Sequence, residues 1–549
     1  MTTSASTLRV GLRYRPNRLE PHYDAVVIGS GIGGLTTAAC LAKMGKKVCV
    51  LEQHYTAGGF THSYERNGYE WDVGVHYIGD MGSTRSTGRR LFDYITNSTL
   101  KWAPMDAEFD RAFIGDKTFG LQSGKVAYRQ ALVDAFPDEE QAIDQYLAHM
   151  RSIKSAMQSH TIGKIMPAWL KKITSLFSTQ QPPAAFSKTT REVLEDLTNN
   201  QMLIAVLTCQ WGDCGMPPAE SSFVIHSLIA QHYMHGGYYP IGGASQMAQT
   251  IIPTIQAAGG EVFTYAGVEK ILTDKKGVTG VRMADGHIIK ASTVISKAGV
   301  FNTFNTLLDN DAPQRADYLE KLQQVSRSMA SICLYIGIKD TAENLQLPKT
   351  NFWIYPNENY ESVCETFKQS NRYTEETVLP MVYISFPSAK DPDFNNRYPD
   401  RATIEIVAPC MHEWFAQWQD QPWGNRGDDY NALKEALSQR LLQYLFEKLP
   451  HLKDKIDFYE LSTTLSTDFF CRYQEGEIYG LQHDPKRFEQ QWLKPKTDIK
   501  GLYLTGQDVL SCGVVGAMMA GLITAIQLGG LKGLSLTKKI FFDKPQSDL

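Results

Sequence analysis

Residues 24–53 read DAVVIGSGIGGLTTAACLAKMGKKVCVLEQ, and this stretch decides the fold. Its continuous apolar runs predict buried parallel strands over Ala25–Ile28 and Lys47–Leu51, with a crossover helix over about Gly33–Met44 between them. Gly29-Ser30-Gly31-Ile32-Gly33-Gly34 follows the first strand and opens the helix, so it matches G-x-G-x-x-G in the context that motif requires. The first glycine makes the tight turn, the second lets a pyrophosphate approach the backbone, and the third lets helix pack on strand. The helix then turns free N–H groups and its positive end toward the phosphates. Glu52 ends the second strand, 18 residues after Gly34. A carboxylate there accepts hydrogen bonds from a ribose 2′-hydroxyl and repels a 2′-phosphate. The unit implies an α/β, Rossmann-like fold, and alone it does not separate FAD from NAD.

Outward from this unit the chain changes character. It has 549 residues, too many for one small core. Residues 1–22 are polar and basic and read as a flexible tail. Residues about 130–235 carry long amphipathic stretches and read as helical. A turn through YYPIGG (238–243) precedes a helix, a strand at Glu261–Thr264 and a hairpin turning at Ala284-Asp285-Gly286. SICLYIGI and MVYISF are strands among helices over 300–480, GLYLTG is a late strand, and VVGAMMAGLITAIQL a late helix. Nucleotide-binding character at both ends points to one domain assembled from separated segments: 23–100, 237–300 and 481–535. Residues 101–236 form a mainly helical region facing substrate and membrane, 301–480 an inserted α+β substrate domain, and 536–549 a tail.

Composition excludes several classes. Net charge is −4, with 43% hydrophobic and 21% charged residues, an ordinary globular balance without the basic excess that nucleic-acid binding needs. The nine cysteines include no C-x-x-C pair, which argues against a zinc site or a disulfide framework and for a reducing, cytoplasmic compartment. MTTSASTLRVGLRYRPNRLEP lacks the apolar core of a secretory signal, and no run of about 18 apolar residues exists to span a bilayer. Membrane association is therefore expected to be peripheral.

Beyond Glu52, Gly58-Gly59 in LEQHYTAGGFTHSY resembles the two-dinucleotide-binding flavoproteins, and GLYLTGQDVLSCGVVGAMMAG resembles their second flavin motif. GYEWDVGVHYIG (68–79) and YYPIGGASQMAQTIIPTIQAAGGEV (238–262) narrow the resemblance to the phytoene desaturase and carotenoid isomerase family. FPSAKDP (386–392), EWFAQWQ (413–419), RGDDY (426–430) and LYLTGQD (502–508) are most similar to the branch of that family that saturates retinol. The resemblance implies non-covalent FAD held by Gly29, Gly31, Gly33, Gly34, Glu52, Gly58 and Gly59. It implies further contacts through Val268 at the adenine, Gly506 and Asp508 near the phosphate and ribityl chain, and Gly513, Val514 and Val515 at the flavin's pyrimidine side. There the positive end of a helix stabilises the charge of a reduced flavin.

The reaction so implied is saturation of a C=C bond in a retinoid or carotenoid-like polyene, with desaturation or cis-trans isomerisation as the alternative. A flavin-binding protein without turnover is the reading from another class. Saturation needs a hydride from the flavin and a proton from elsewhere. Four side chains near the motifs are candidates for the proton: His76 and Tyr77 beside the flavin segment, and Tyr479 and His483 in EIYGLQHD. Aromatic residues such as Trp211, Phe223, Tyr233 and Tyr239 suit an apolar tunnel. A second G-x-G-x-x-G is absent, so an NAD(P)H donor would bind without its own Rossmann domain. Residues 151–191 hold no Asp or Glu but several Lys and Arg, with Trp169 and Phe177 on one apolar face, and predict an amphipathic helix docked on a membrane.

Overall fold

The computed structural model describes residues 8–165, 183–312 and 314–543. Its centre is a six-stranded sheet, ordered Leu12–Arg13, Glu261–Thr264, Val48–Leu51, Ala25–Ile28, Val294–Ser296, Leu502–Leu504. Every pairing in it is parallel; Ala25 lies opposite Val48, and Val294 opposite both Val26 and Leu502. Three separated stretches therefore build one sheet, as the glycine motifs at both ends imply. The strands Ala25–Ile28 and Val48–Leu51 are buried at every position, which is why they read as unbroken apolar runs.

The first helix, Ile32–Lys43, is buried along all but its last residue. It packs against the helices Gly513–Gly529 and Gln246–Gln256. Small residues make the first of these contacts possible. A Cβ on Gly521 would lie 2.5 Å from the Gly33 carbonyl oxygen, and one on Gly33 would lie 2.7 Å from Cα of Gly506 and 2.8 Å from the Ala517 carbonyl oxygen. The amino-terminal and carboxyl-terminal motifs thus touch backbone to backbone.

A seven-stranded, largely antiparallel sheet forms the second half of the molecule. Its order is Ile456–Ser462, Ala330–Ile338, Ala402–Cys410, Val382–Ser385, Asn351–Tyr355, Glu108–Ile114, Lys117–Gln122. The last two strands come from the stretch expected to be mainly helical. Glu108–Ile114 pairs in parallel with Asn351–Tyr355 and turns back through Gly115 into Lys117–Gln122. Helices begin only at Lys125.

The expected tails are also structured where they are described. Leu12–Arg13 extends the edge of the central sheet, Leu8 and Val10 are buried, and the Val10 N–H donates to Thr56 Oγ1 at 2.9 Å. Two alternating apolar residues in a basic stretch are enough to add an edge strand. They are too few to be read as one. At the other end Leu531–Phe541 is a helix whose Leu536 and Ile540 are buried. Of the expected membrane-facing helix, Arg151–Ile165 completes the helix Glu140–Ile165. There Ile153 and Met157 face the core, and the Lys164 ammonium donates to the carbonyls of Leu493 and Val509. Trp169 and Phe177 lie outside the described residues. Among the described residues, no helix is long and apolar enough to cross a membrane.

Candidate functional site

A cleft of about 980 Å³ opens at the carboxyl ends of the central strands. Gly29, Gly31, Glu52, Gly59 and Val268 line it, together with Phe60, Val73, Lys297 and Tyr473. In an open α/β sheet this is where ligands bind. Gly29 sits at φ +94°, a conformation that favours glycine and makes the turn. Gly58 and Gly59 also have positive φ, and a Cβ on Gly59 would lie 3.0 Å from Cα of Gly31. The two glycine segments therefore form one narrow backbone cradle.

Glu52 organises that cradle as well as facing it. Its Oε2 accepts from the N–H and Oγ of Ser30, both at 2.8 Å, and its Oε1 accepts from the His54 N–H at 2.9 Å. Ser30 Oγ in turn accepts from the Gly58 N–H at 3.1 Å. Oε1 keeps a free lone pair for a ribose hydroxyl. Lys297, which the motifs do not mark, follows the strand Val294–Ser296. A Cβ on Gly31 would lie 2.5 Å from its Nζ, so an ammonium stands in the cradle beside the glycines. Among the described residues it has no carboxylate within ion-pair distance. A cradle of backbone N–H groups with one uncompensated ammonium fits a pyrophosphate.

The carboxyl-terminal motif supplies the other end. Asp508 is buried; its Oδ2 accepts from the Val300 N–H at 2.8 Å, while Oδ1 has no hydrogen-bond partner in the protein. An orphaned carboxylate oxygen beside the cradle fits a hydroxyl donor such as a ribityl chain. The helix Gly513–Gly529 starts without a side-chain cap, and nothing lies within 4 Å of where a Gly513 Cβ would be. Its first N–H groups, beside the half-buried Val514 and Val515, are free for an anionic acceptor. Gly33 and Gly34 serve packing. A Cβ on Gly34 would sit 2.2 Å from the Gly29 carbonyl oxygen. These residues fit FAD: pyrophosphate at Gly29–Gly31, ribose at Glu52, ribityl at Asp508.

The four proton-donor candidates fall into different settings. His483 is fully buried; its Nε2 accepts from the Cys512 N–H at 2.9 Å, so it anchors the start of the Gly513–Gly529 helix. Burial holds its imidazole well below the ordinary histidine range. His76 and Tyr77 belong to a buried polar network. His76 Nδ1 lies 2.8 Å from Glu405 Oε2. Burial lowers the His76 pKa to about 3 and raises that of Glu405 to about 8, so neither group is charged at neutral pH. The two atoms are in close contact, neither has a hydrogen-bond partner, and burial disfavours an ion pair between them.

That assignment predicts the behaviour of Glu405→Gln. Glutamine keeps the shape of the side chain and an acceptor for the Asp72 N–H, which bonds Glu405 Oε1 at 2.9 Å. In the unfolded chain a glutamate ionises near pH 4.5; in the fold it holds its proton to about 8. Wild-type stability therefore falls as pH rises through that window, and the variant lacks this loss. Melting temperatures from pH 5 to 8 should move in favour of Glu405→Gln, by the equivalent of a few kcal/mol. A gap that stays flat with pH would show that Glu405 is ionised.

The Tyr77 hydroxyl donates to Asp110 Oδ2 at 2.8 Å, which also accepts from Gln210 at 2.8 Å; Asn351 donates to Asp110 Oδ1 at 2.8 Å. Asn351 Oδ1 accepts from Lys390, the lysine of FPSAKDP. That ammonium is 1% exposed, donates also to the His76 carbonyl at 3.0 Å and Ser385 Oγ at 2.8 Å, and is pushed down to about 7 by burial.

Asp213 was not marked by any motif. It is half-buried, as is Tyr479, which lies close enough to feel its charge. Its Oδ2 has no hydrogen-bond partner, and the backbone carbonyl of the same residue accepts from Cys512 Sγ at 3.5 Å, beside the helix start at Gly513. Burial, then the nearby Asp110 charge, raises its pKa well above the usual carboxylate range. Tyr77 stacks on Tyr233 with centroids 4.1 Å apart and on Tyr383 at 6.4 Å, a buried aromatic stack close to Asp213. Two carboxylates in separate environments result. Asp110 accepts from three donors, while burial favours the protonated form of Asp213, whose Oδ2 has no partner. Trp211 and Phe223 are core residues, and Tyr239 bonds Asp72.

With this geometry in view, comparison with known proteins gives consistent matches. The profile of the family described as flavin containing amine oxidoreductase matches residues 32–528. The chain is 36% identical over 521 residues to all-trans-retinol 13,14-reductase of Danio rerio, covering 92% of this chain and 86% of that protein. It is 26% identical over 546 residues to the chloroplastic prolycopene isomerase of Arabidopsis thaliana, covering 95% and 85% respectively. Among solved structures, putrescine oxidase bound to putrescine superposes with a TM-score of 0.61 at 16% identity, covering 92% of this chain and 98% of that one. That last likeness speaks for the fold.

Proposed function

The chain belongs to the flavin-containing amine oxidoreductase family and is an FAD-dependent oxidoreductase, and from that premise we propose that it saturates a C=C bond of a retinoid-like polyene. The observation that carries the choice of saturation over isomerisation is Asp213. Adding hydrogen across a double bond consumes one hydride and one proton, whereas a change of double-bond geometry consumes neither. FAD bound in the cleft supplies the hydride from its reduced ring. Asp213 supplies the proton: burial favours its protonated form, and its Oδ2 has no hydrogen-bond partner in the protein. The stacked Tyr77, Tyr233 and Tyr383 hold an extended apolar chain and exclude water. Tyr77, which donates to Asp110, stands close to Asp213 as well, so the two carboxyls share one aromatic neighbour.

Two further features belong to the proposal. The electron donor is NAD(P)H, and the enzyme works at a lipid surface, because polyenes are scarcely soluble in water. The test of the whole is anaerobic incubation of the dithionite-reduced protein with all-trans-retinol and, separately, with carotenoids. Loss of polyene absorbance together with a product two hydrogens heavier is expected. A product of unchanged mass and altered geometry would establish the isomerase reading instead.

A further inference from the structure

The cleft has a second cationic end that the flavin does not account for. Besides the glycine cradle, it is lined by Arg66, Trp423, Arg426, Tyr430, Lys434 and Phe470. Arg426 is only 8% exposed, and its Nε has no hydrogen-bond partner. Among the described residues its guanidinium makes no hydrogen bond and no ion pair, although Asp468 lies close enough to feel its charge. Lys434 likewise has no ion-pair partner among them. Its ammonium stands 5.8 Å from the Tyr430 ring, and the Arg426 guanidinium stands 5.4 Å from that ring. Arg66 is the third cation, and Glu460 neutralises it directly. A buried guanidinium without a partner is costly unless an anion completes it.

These cations belong to the other half of the molecule from the phosphate cradle. Arg426 caps and Lys434 sits on the helix Gly427–Lys448, and Arg66 ends the strand Ser63–Arg66. Trp423 stacks on Phe469 with centroids 5.6 Å apart and meets Phe470 edge-on at 5.6 Å, offering exposed ring faces beside the charges. The same cleft continues to Phe60, Val73 and Tyr473, next to the segment that faces the flavin. Charged forks for phosphoryl oxygens, aromatic faces for planar rings and continuity with the flavin end are the requirements of a dinucleotide.

We propose that Arg426, Lys434 and Arg66 bind the phosphates of a nicotinamide dinucleotide, in a site distinct from the FAD pyrophosphate cradle and without a Rossmann domain of its own. The inference rests on the reading of the electron donor above, and names where that donor is held. A single carboxylate would need one cation; two without an ion-pair partner among the described residues, Arg426 and Lys434, with Arg66 paired to Glu460 beside them, suit a polyphosphate.

The experiment titrates the FAD-loaded protein with NADPH, NADH and inorganic pyrophosphate by calorimetry at low salt. Saturable binding of the dinucleotides is expected, weakening with salt as charge recognition does. Lys434→Gln and Arg426→Gln should each weaken it about ten- to a hundredfold, the range for hydrogen bonds to charged groups, while FAD content stays full. Lys434 is half-exposed, so its variant keeps the test informative should the Arg426 variant fail to fold. Absence of saturable binding by all three probes would overturn the proposal, and so would binding unchanged in the Lys434 variant. Loss of FAD from the Lys434 variant would assign these cations to FAD and overturn it equally. Dinucleotide binding without any reduction of retinol would leave this site standing and remove only the substrate reading.

Discussion

Gly34→Ala is expected to lose both FAD and stability, whereas Gly31→Ala loses FAD alone. The difference lies in what each new methyl group meets. On Gly34 a Cβ would stand 2.2 Å from the Gly29 carbonyl oxygen and 3.3 Å from Val27 Cγ1. The first neighbour is backbone, locked in a turn at φ +94°, and the second is a fully buried strand residue. Neither gives way cheaply, so the helix must lift off the sheet. Overpacking of this kind costs about 1–3 kcal/mol and occasionally more, and we expect the upper end here because backbone is the obstacle. On Gly31 a Cβ would meet only the end of the Lys297 chain, at 2.5 Å, which swings aside. Gly31 has φ −59° and ψ 163°, an extended conformation that alanine adopts freely. The cofactor-free Gly31→Ala protein should therefore melt like wild type, within about 0.5 kcal/mol as for a neutral substitution. It should nevertheless purify nearly colourless, because its methyl group occupies the pyrophosphate's place. Flavin absorbance and melting of the stripped proteins check both statements. A yellow Gly34→Ala protein with wild-type melting would refute the packing argument, and a yellow Gly31→Ala protein would refute the cradle.

How much of this was legible in the sequence follows the same physics. The glycine cradle and the parallel strands were readable because each glycine is demanded by a local backbone geometry, and each buried strand shows as an apolar run. Glu52 was readable by its distance from the glycines. That it also fixes Ser30 and His54 was not, because hydrogen bonds to backbone N–H groups leave no mark on residue choice. The strand Leu12–Arg13 was hidden by its length, and the pair Glu108–Ile114 and Lys117–Gln122 by a partner more than two hundred residues away. Site residues divide in the same manner. His76, Tyr77, Tyr479 and His483 were named because they sit in recognisable segments. Proximity in sequence said nothing of their state: His483 bonds a helix start, while Tyr479 lies near Asp213. Asp213 belongs to TCQWGDCGM, where it is the one charged residue, and that contrast is the one signal that could have found it. Arg426 carried none, since RGDDY looks like a solvated turn and only the fold buries its guanidinium.

Asp213→Asn is expected to lower the rate of polyene saturation by about 10²–10⁴-fold, the usual contribution of a positioned acid. The substitution keeps shape and a hydrogen-bonding head but removes the transferable proton. FAD content and reduction of the flavin by dithionite should be unchanged, because Asp213 touches neither the cradle nor Asp508 among the contacts that hold the cofactor. Asp213→Glu should restore part of the rate, having an acid of the same kind slightly misplaced. The pH profile separates a chemical role from a structural one. Burial raises the Asp213 pKa, so the active, protonated form persists through neutral pH and is lost only as pH rises through that elevated value. Wild-type turnover should therefore fall at high pH, and the residual turnover of the asparagine variant should lack that limb. In heavy water the wild-type product should carry deuterium at both carbons of the saturated bond, because the reduced flavin's N5 hydrogen, like the carboxyl proton, comes from solvent. An asparagine variant that reduces retinol as fast as wild type would show that the proton comes from another donor. Tyr479 is then the next side chain to test, because it lies close enough to Asp213 to feel its charge.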